Sequence, residues 1–314
     1  MGSVPSAPGT TTADSSKAAD RTSLEGVGKP RTYLGMASRR FRGNKMAMVG
    51  LFFVLLMILT AIAAPLVSKH VTGHTPNAQN LRLKFSGFNE NGFLLGSDNL
   101  GRDTATRLVY GARVSLAVAG MAMFFAITIG AVVGVVAGYY GGIVDTLLMR
   151  YVDMMLSIPT LFILLLVASM FTLSPVALAL VIAFVSWVTL SRLIRGEVIS
   201  VKERDYIDAA RVVGVGDRRI MWRHILPNVL PVVIVWASLT VPALILVEAS
   251  LSYLGLGVQP PTASWGNMLS QAQLSYTQSI LVVFLPGLTI YLTVFAINLV
   301  GNGLRDALDP RLTD

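Results

Sequence analysis

The chain has 314 residues, of which 54% are hydrophobic and 13% charged, and its formal net charge is +8. Soluble domains carry about 25% charged residues, so this composition excludes an ordinary soluble protein and predicts an integral membrane protein. The basic residues flank long apolar runs, which argues against nucleic acid as their partner. The lack of cysteine excludes disulfides, cysteine-ligated zinc and thiol catalysis.

The amino-terminal segment differs in composition from the rest of the chain. Residues 1–30 are rich in Ser, Thr, Gly, Ala and Pro without periodicity, which predicts a disordered tail. Residues 31–45 mix apolar and basic side chains and predict an amphipathic helix on the membrane surface, with a plain basic flank as the alternative. Residues 46–67 are apolar over a length that crosses a hydrocarbon core of about 30 Å, and are the first predicted span.

A polar segment follows the first span and completes a predicted unit at 46–110. It ends in a charged motif in which Asp103 is a good N-cap for a helix entering the second span. Asp98 and Arg102 lie close to Asp103 in the sequence, and the three residues together are a candidate ligand site. Capping with a local ion network is the favoured interpretation.

The second apolar run carries a glycine stripe. The span is predicted at about 112–137, and Gly130, Gly134 and Gly138 share one helical face in the small-residue pattern that lets membrane helices approach closely. A third span ends near residue 170, and a fourth is predicted at about 176–194.

Charged side chains in the third helix are a candidate pathway or gate. Arg150 and Asp153 are separated by three residues and are predicted to pair with each other. Charges at membrane depth are costly unless they are paired, so they often mark a functional path. A helix end at the water interface is the favoured alternative.

Residues 200–227, which we call the elbow, are the most charged stretch between two long apolar runs. The first part has a helical apolar period formed by Tyr206, Ala209, Ala210 and Val213. Gly214 and Gly216 permit a bend, and a second short helix is predicted to end at Pro227. Two short helices around a glycine bend predict a docking surface for a soluble partner; a solvated basic loop is the alternative.

A single carboxylate follows the fifth predicted span at about 228–247. Glu248 is a candidate for the wall of a polar cavity, and capping a helix or pairing with Arg113 are the favoured structural alternatives.

The outer loop at 255–279 is predicted to be stiff and either to dock a preformed partner or to gate the outer mouth. Pro260 and Pro261 restrict its backbone, and Trp265 is predicted to be an exposed apolar anchor. The alternative is that Trp265 sits at the lipid interface, as aromatic belts do. A sixth span is predicted at about 280–300.

The distribution of Lys and Arg predicts the orientation. Residues 1–45 and 192–227 each hold eight, and 255–279 hold none. Cytoplasmic loops carry the excess of positive charge. Both termini and the elbow are therefore predicted to be cytoplasmic, around six spans.

Several blocks of sequence together resemble one transporter family. Asp208-Ala209-Ala210, Gly214 and His224-Ile225-Leu226-Pro227 are similar to the EAA loop of ABC importer permeases, with Asp208 where that family usually has Glu. The Gly96–Leu116 block, Tyr140–Asp153, Glu248–Gly257 with Trp265-Gly266, and the end of the chain add to the likeness. The chain resembles the C-type permease subunits of bacterial dipeptide and oligopeptide ABC importers, except that the family usually has Asp where Asn302 stands.

The resemblance implies a fold and a set of partners. It implies the all-helical, six-span fold of type I importer permeases in the bacterial cell membrane, with a permease domain at 111–302 and a cytoplasmic tail at 303–314. It implies a B-type permease, two ABC ATPase subunits, an extracytoplasmic peptide-binding protein and membrane lipid as partners. It also implies a coupling role for the residues Asp208, Ala209, Ala210, Gly214, His224, Leu226 and Pro227.

No cofactor and no catalytic residue are expected in this chain, and ATP and Mg are expected in the ATPase partners. Gly28-Lys29 is followed by Pro30 and lacks the spacing of a phosphate-binding loop. Nickel chelates and glutathione are alternative cargoes for the same fold. A stand-alone channel, a proton-coupled carrier or a scaffold are alternatives of another class, and they leave the elbow unexplained.

Overall fold

The computed structural model describes Gly2, residues 33–273 and residues 275–308. In that part of the chain the regular elements are helices. The predicted disordered tail at 1–30 lies outside the described residues except for Gly2. The same is true of residues 309–314 within the predicted carboxyl-terminal tail.

The helices follow one another with short connections, apart from the long segment before α4. They are α1 (Tyr33–Gly43), α2 (Lys45–Ile62), α3 (Ala64–Val67), α4 (Thr104–Tyr140), α5 (Gly142–Ser157), α6 (Thr160–Met170), α7 (Pro175–Lys202), α8 (Asp205–Val212), α9 (Asp217–Ile220), α10 (Leu226–Tyr253), α11 (Trp265–Ala272) and α12 (Leu281–Leu308). A π-helical turn at Ser68–Thr72 continues α3, and another at Met221–Ile225 joins α9 to α10.

The number of membrane-crossing helices agrees with the prediction of six spans. Within the described residues, α2, α4, α7, α12 and the continuous run Asp217–Tyr253 are long and apolar enough to cross a bilayer. The pair α5 and α6 passes the same test but is bent by 79°, at the point where Pro159 precedes α6. Counted as one broken span, this pair completes the six, and the predicted all-helical multi-pass fold is confirmed.

Four spans, α4, α7, α10 and α12, are longer than predicted. α4 begins at Thr104 because the Asp103 carboxylate accepts a hydrogen bond from the Thr106 N–H at 2.7 Å, which confirms the predicted cap. The predicted boundary at residue 110 therefore lies inside α4. α12 continues to Leu308, beyond the predicted end of the sixth span at about 300.

The prediction that Pro227 ends a helix is wrong. The chain stays helical from Asp217 to Tyr253, with Pro227 in the first turn of α10. Proline lacks the N–H that an α-helix needs, and the π-turn before it changes the hydrogen-bond register. There the Leu226 N–H donates to the Met221 carbonyl, five residues back.

The glycine stripe brings α4 against α7, the most extensive helix contact among the described residues. A Cβ atom at Gly134 would lie 2.6 Å from the Ser191 carbonyl oxygen, and one at Gly138 would lie 2.8 Å from Val198 Cβ. Only glycine fits at these distances, so the predicted close approach is confirmed.

The elbow lies at the same end of the bundle as α1 and the end of α12. Phe41 of α1 contacts Gly303 of α12, and Arg305 of α12 lines a cleft together with Arg204 of the elbow. The opposite end holds α11, which contacts the beginning of α4. We call these the elbow end and the far end.

We expect Gly134→Ala to destabilise the subunit by about 1–3 kcal/mol, the usual cost of adding a methyl group to a packed contact. Gly120→Ala on the same helix is the matched control, since nothing lies within 4 Å of a Cβ there. Denaturation of the purified protein in detergent measures both. Equal stability of the two variants would contradict the packing argument.

Candidate functional site: the elbow between two spans

The bend of the elbow rests on a single left-handed residue. α8 ends where the Gly214 N–H donates to the Arg211 carbonyl at 2.9 Å and the Val215 N–H donates to the Ala210 carbonyl at 3.0 Å. Gly214 has φ +83°, and α9 begins shortly after it. A side chain in this conformation costs about 1–2 kcal/mol, so glycine is the residue that ends α8 cheaply.

Three isoleucines anchor the elbow to the bundle. Ile207 of α8, Ile220 of α9 and Ile225 of the π-turn are fully buried. They share an apolar cluster with side chains of α7 and α10, among them Val198 and Val229. The sequence pattern did not single out these anchors. One signal was available: isoleucines recur within an otherwise charged segment.

The outer face of the elbow is apolar and exposed. Val212, Val213 and Trp222 have 88%, 82% and 70% of their surface accessible. Tyr206 and Ala209 of the predicted apolar face are exposed as well. The periodicity therefore marks the outward face of α8, while Ile207 is the buried residue of this helix. A solvated loop rarely exposes several large apolar side chains in this way.

The residues of the EAA-like pattern divide into two groups. Asp208 and Ala209 are exposed on α8, and the Asp208 carboxylate accepts a hydrogen bond from Arg211 at 2.9 Å. Ala210 is half-buried and supplies the carbonyl that closes the bend. The second group lies at the base of the fifth span: His224 and Leu226 are half-buried there, and Pro227 is exposed.

An open cleft of about 970 Å³ adjoins the elbow. α7, α10 and α12 form its walls, which are mostly apolar, and Glu197, Arg204 and Arg305 bring charge to it. Pro227 also lines this cleft. The exposed elbow and the cleft therefore share residues at one end of the molecule.

The predicted pair between Arg150 and Asp153 is wrong. The Asp153 carboxylate pairs with Arg192 of α7, and Arg150 is exposed. Asp145 of α5 pairs in the same way with Arg195, whose Nε and Nη2 both lie 2.5 Å from the carboxylate. A pair within one helix contributes only about 0.2–0.5 kcal/mol, and the neighbouring helix offers a better partner.

Glu248 does not line an open surface in this structure. It is fully buried, and its carboxylate accepts a hydrogen bond from the Ser252 hydroxyl at 2.7 Å. The Ser252 oxygen in turn accepts one from the Val258 N–H at 3.0 Å. The predicted alternative of a pair with Arg113 is wrong, because Arg113 is exposed. Glu248 thus joins the end of α10 to the loop that follows it.

The prediction that Trp265 is an exposed anchor is wrong. Trp265 is fully buried at the start of α11, and its indole Nε1–H donates to the Leu108 carbonyl of α4 at 3.1 Å. The alternative of a lipid-interface position is wrong for the same reason. Pro260 and Pro261 are exposed, so the loop places its prolines outside and its tryptophan in the core.

The charged motif before α4 is a structural network, as the favoured interpretation predicts. Arg102 Nε lies 2.7 Å from the Asp98 carboxylate, and Arg107 Nε lies 3.6 Å from it. Arg102 also donates to Gln271 of α11. These contacts tie the long polar segment to the far end of the bundle.

Comparison with known proteins identifies the family. Residues 130–314 match the model for the binding-protein-dependent transport system inner membrane component, and residues 32–87 match the N-terminal TM domain of oligopeptide transport permease C. The di/tripeptide transport system permease protein DppC of Pseudomonas aeruginosa is 42% identical over 279 residues, which cover 87% of this chain and 90% of that protein.

Another relative and a solved structure agree with this result. The oligopeptide transport system permease protein OppC of Haemophilus influenzae is 37% identical over 276 residues, which cover 88% of each chain. A chain of the inward-facing MetNI methionine ABC transporter has the same fold, with a TM-score of 0.50 at 20% identity over 65% of this chain and 96% of that one. This chain therefore belongs to the inner-membrane components of binding-protein-dependent transport systems, as a permease of the C type.

Proposed function

We propose that this chain is a permease subunit of an ATP-driven importer of dipeptides or oligopeptides. It forms the translocation path together with a B-type permease, and it couples to two ATPase subunits through the elbow. An extracytoplasmic binding protein delivers the peptide. The observation that carries the proposal is the exposed apolar face of the elbow on a firmly anchored base.

The elbow has the properties of a coupling surface. Val212, Val213 and Trp222 are exposed apolar side chains that a partner surface would cover. Asp208 adds an exposed carboxylate for an ion pair with a basic residue of that partner. The buried isoleucines transmit force from this surface to α7 and α10. ATP and Mg belong to the partner, and this chain holds no cofactor.

Peptide cargo follows from the relatives and is compatible with the cleft. The similar permeases are named for dipeptide, di/tripeptide and oligopeptide transport. The cleft beside the elbow combines apolar walls with both signs of charge, which suits a zwitterionic chain with varied side chains. We propose that it is the inward end of the path.

The proposed function is tested by reconstituting this chain with its partner permease, ATPase subunits and binding protein in vesicles. We expect ATP-dependent uptake of a labelled di- or tripeptide. Uptake of a nickel chelate or glutathione instead would support the importer function but contradict peptide as its cargo. Uptake without ATPase subunits would identify a channel or carrier.

We expect Asp208→Lys to lower ATP hydrolysis and loosen the association with the ATPase, because it would place a like charge against a basic partner. Asp208→Glu keeps the charge and is expected to retain most of the activity. Copurification of the ATPase subunit and its hydrolysis rate are the measurements. Full activity of Asp208→Lys would show that this carboxylate makes no such ion pair.

We expect Gly214→Ala to reduce uptake and Gly216→Ala to leave it nearly unchanged. Both glycines have open space at the Cβ position, but only Gly214 has a positive φ. The two variants therefore differ in backbone strain alone, about 1–2 kcal/mol at Gly214. Peptide uptake at equal membrane content is the measurement, and equal uptake would argue against a rigid bend.

The chain has no cysteine, so single cysteines can report its orientation without further change. Cysteine at Val213 should react with a membrane-impermeant thiol reagent only from the cytoplasmic side, and cysteine at Thr262 only from outside. Both positions are exposed at opposite ends of the bundle. The reverse labelling pattern would overturn the orientation derived from charge.

A further inference from the structure

We infer that Tyr139 is a positioning residue that locks the elbow to the end of α4, so that the two move together during coupling. The inference rests on the proposed function, because it assigns a mechanical role within the coupling of ATP hydrolysis to transport. The contacts of Tyr139 come from three separate elements around the elbow.

The length of α4 places Tyr139 at the level of the elbow. The helix has 37 residues, about 55 Å at 1.5 Å per residue, while the hydrocarbon core is about 30 Å thick. The helix is therefore longer than the core is thick, and its last turn lies against the elbow. Tyr139 is buried in this turn, and the helix stops at Gly141, which has φ +65°.

A directional bond links Tyr139 to the second helix of the elbow. Its hydroxyl donates to the Asp217 carboxylate at 2.6 Å. Asp217 is the first residue of α9, which runs through the π-turn into the fifth span. A hydrogen bond to a charged group is among the stronger ones in proteins, and its geometry restricts how α9 can rotate against α4.

Two cations from other elements lie near the ring of Tyr139. The Nζ of Lys202, the last residue of α7, lies 5.9 Å from the ring centroid, and Cζ of Arg211 on α8 lies 5.7 Å from it. Arg211 is also the partner of Asp208. The two positive charges are balanced by the carboxylates of Asp208 and Asp217. Lys202, Arg211 and Asp217 contact Tyr139 directly, and Asp208 is linked to it through Arg211.

These contacts differ in kind from the isoleucine anchors. Apolar contacts such as those of Ile207 and Ile220 are non-directional and do not by themselves fix how α8 and α9 are rotated. The bond between Tyr139 and Asp217 fixes the position of α9 relative to the end of α4, so a displacement of α8 and α9 also moves the end of α4. Because α4 packs against α7 through the glycine stripe, α7 then moves with it.

The test uses Tyr139→Phe in the complete reconstituted complex, which removes the hydroxyl and keeps the ring for both cations. Tyr140→Phe is the matched control, since Tyr140 is exposed and the substitution keeps its edge contact with the Tyr139 ring. Peptide taken up per ATP hydrolysed is the readout, with the ratio of ATPase subunit to permease measured in parallel. A purely structural role would change the amount of complex and leave uptake per ATP unaltered.

We expect Tyr139→Phe to lower uptake per ATP about tenfold, the change in an equilibrium constant that corresponds to one hydrogen bond to a charged group. Asp217→Ala removes the acceptor of this bond and should act in the same direction. The double variant should be no worse than the stronger single one, because both remove the same contact. The ATPase-to-permease ratio should stay at the value of the unaltered complex.

Three results would overturn the inference. Tyr139→Phe could retain the same uptake per ATP as Tyr140→Phe. The effects of Tyr139→Phe and Asp217→Ala could add fully, which would mean that they act separately. A loss of ATPase subunit in proportion to uptake would assign Tyr139 to docking. Failure of the unaltered complex to couple ATP to uptake would instead refute the proposed function, and the inference would fall with it.

Discussion

The close contact between α4 and α7 is the constraint on which the rest of this subunit depends. In lipid, apolar surface gives no driving force for helices to associate, so packing at short range must hold them together. Gly130, Gly134 and Gly138 allow that approach along one face of α4. Because α7 is held there, its further surfaces are available to position other elements.

α7 in turn positions two other parts of the molecule. Arg192 and Arg195 pair with two aspartates of α5, which fixes the first half of the bent span against the bundle. Ile194 and Val198, which also face the glycine stripe, belong with Val201 to the apolar cluster that receives the elbow. The broken span and the elbow are therefore both positioned by the same helix. A shift of α7 would reach both of them at once.

The two ends of the bundle are built from different interactions. At the far end, buried polar groups are joined by directed hydrogen bonds, such as Trp265 to the Leu108 carbonyl and Glu248 to Ser252. Such networks specify one arrangement and make that end stiff. At the elbow end, apolar anchors support an exposed face, and directed contacts such as Tyr139 to Asp217 and Arg195 to Asp145 lie beside them.

The sequence by itself determined the class of the protein, the spans, the glycine stripe, the cap at Asp103 and the bend at Gly214. Each depends on composition, on periodicity or on backbone chemistry within a few residues. Only the tertiary structure decided which side chain meets which. Asp153 pairs with Arg192 and not with Arg150, Trp265 lies in the core and not at the surface, and Glu248 is fully buried. For Asp153 and Trp265 a neighbouring helix, distant in sequence, supplies the contact, and periodicity within one segment carries no information about that neighbour.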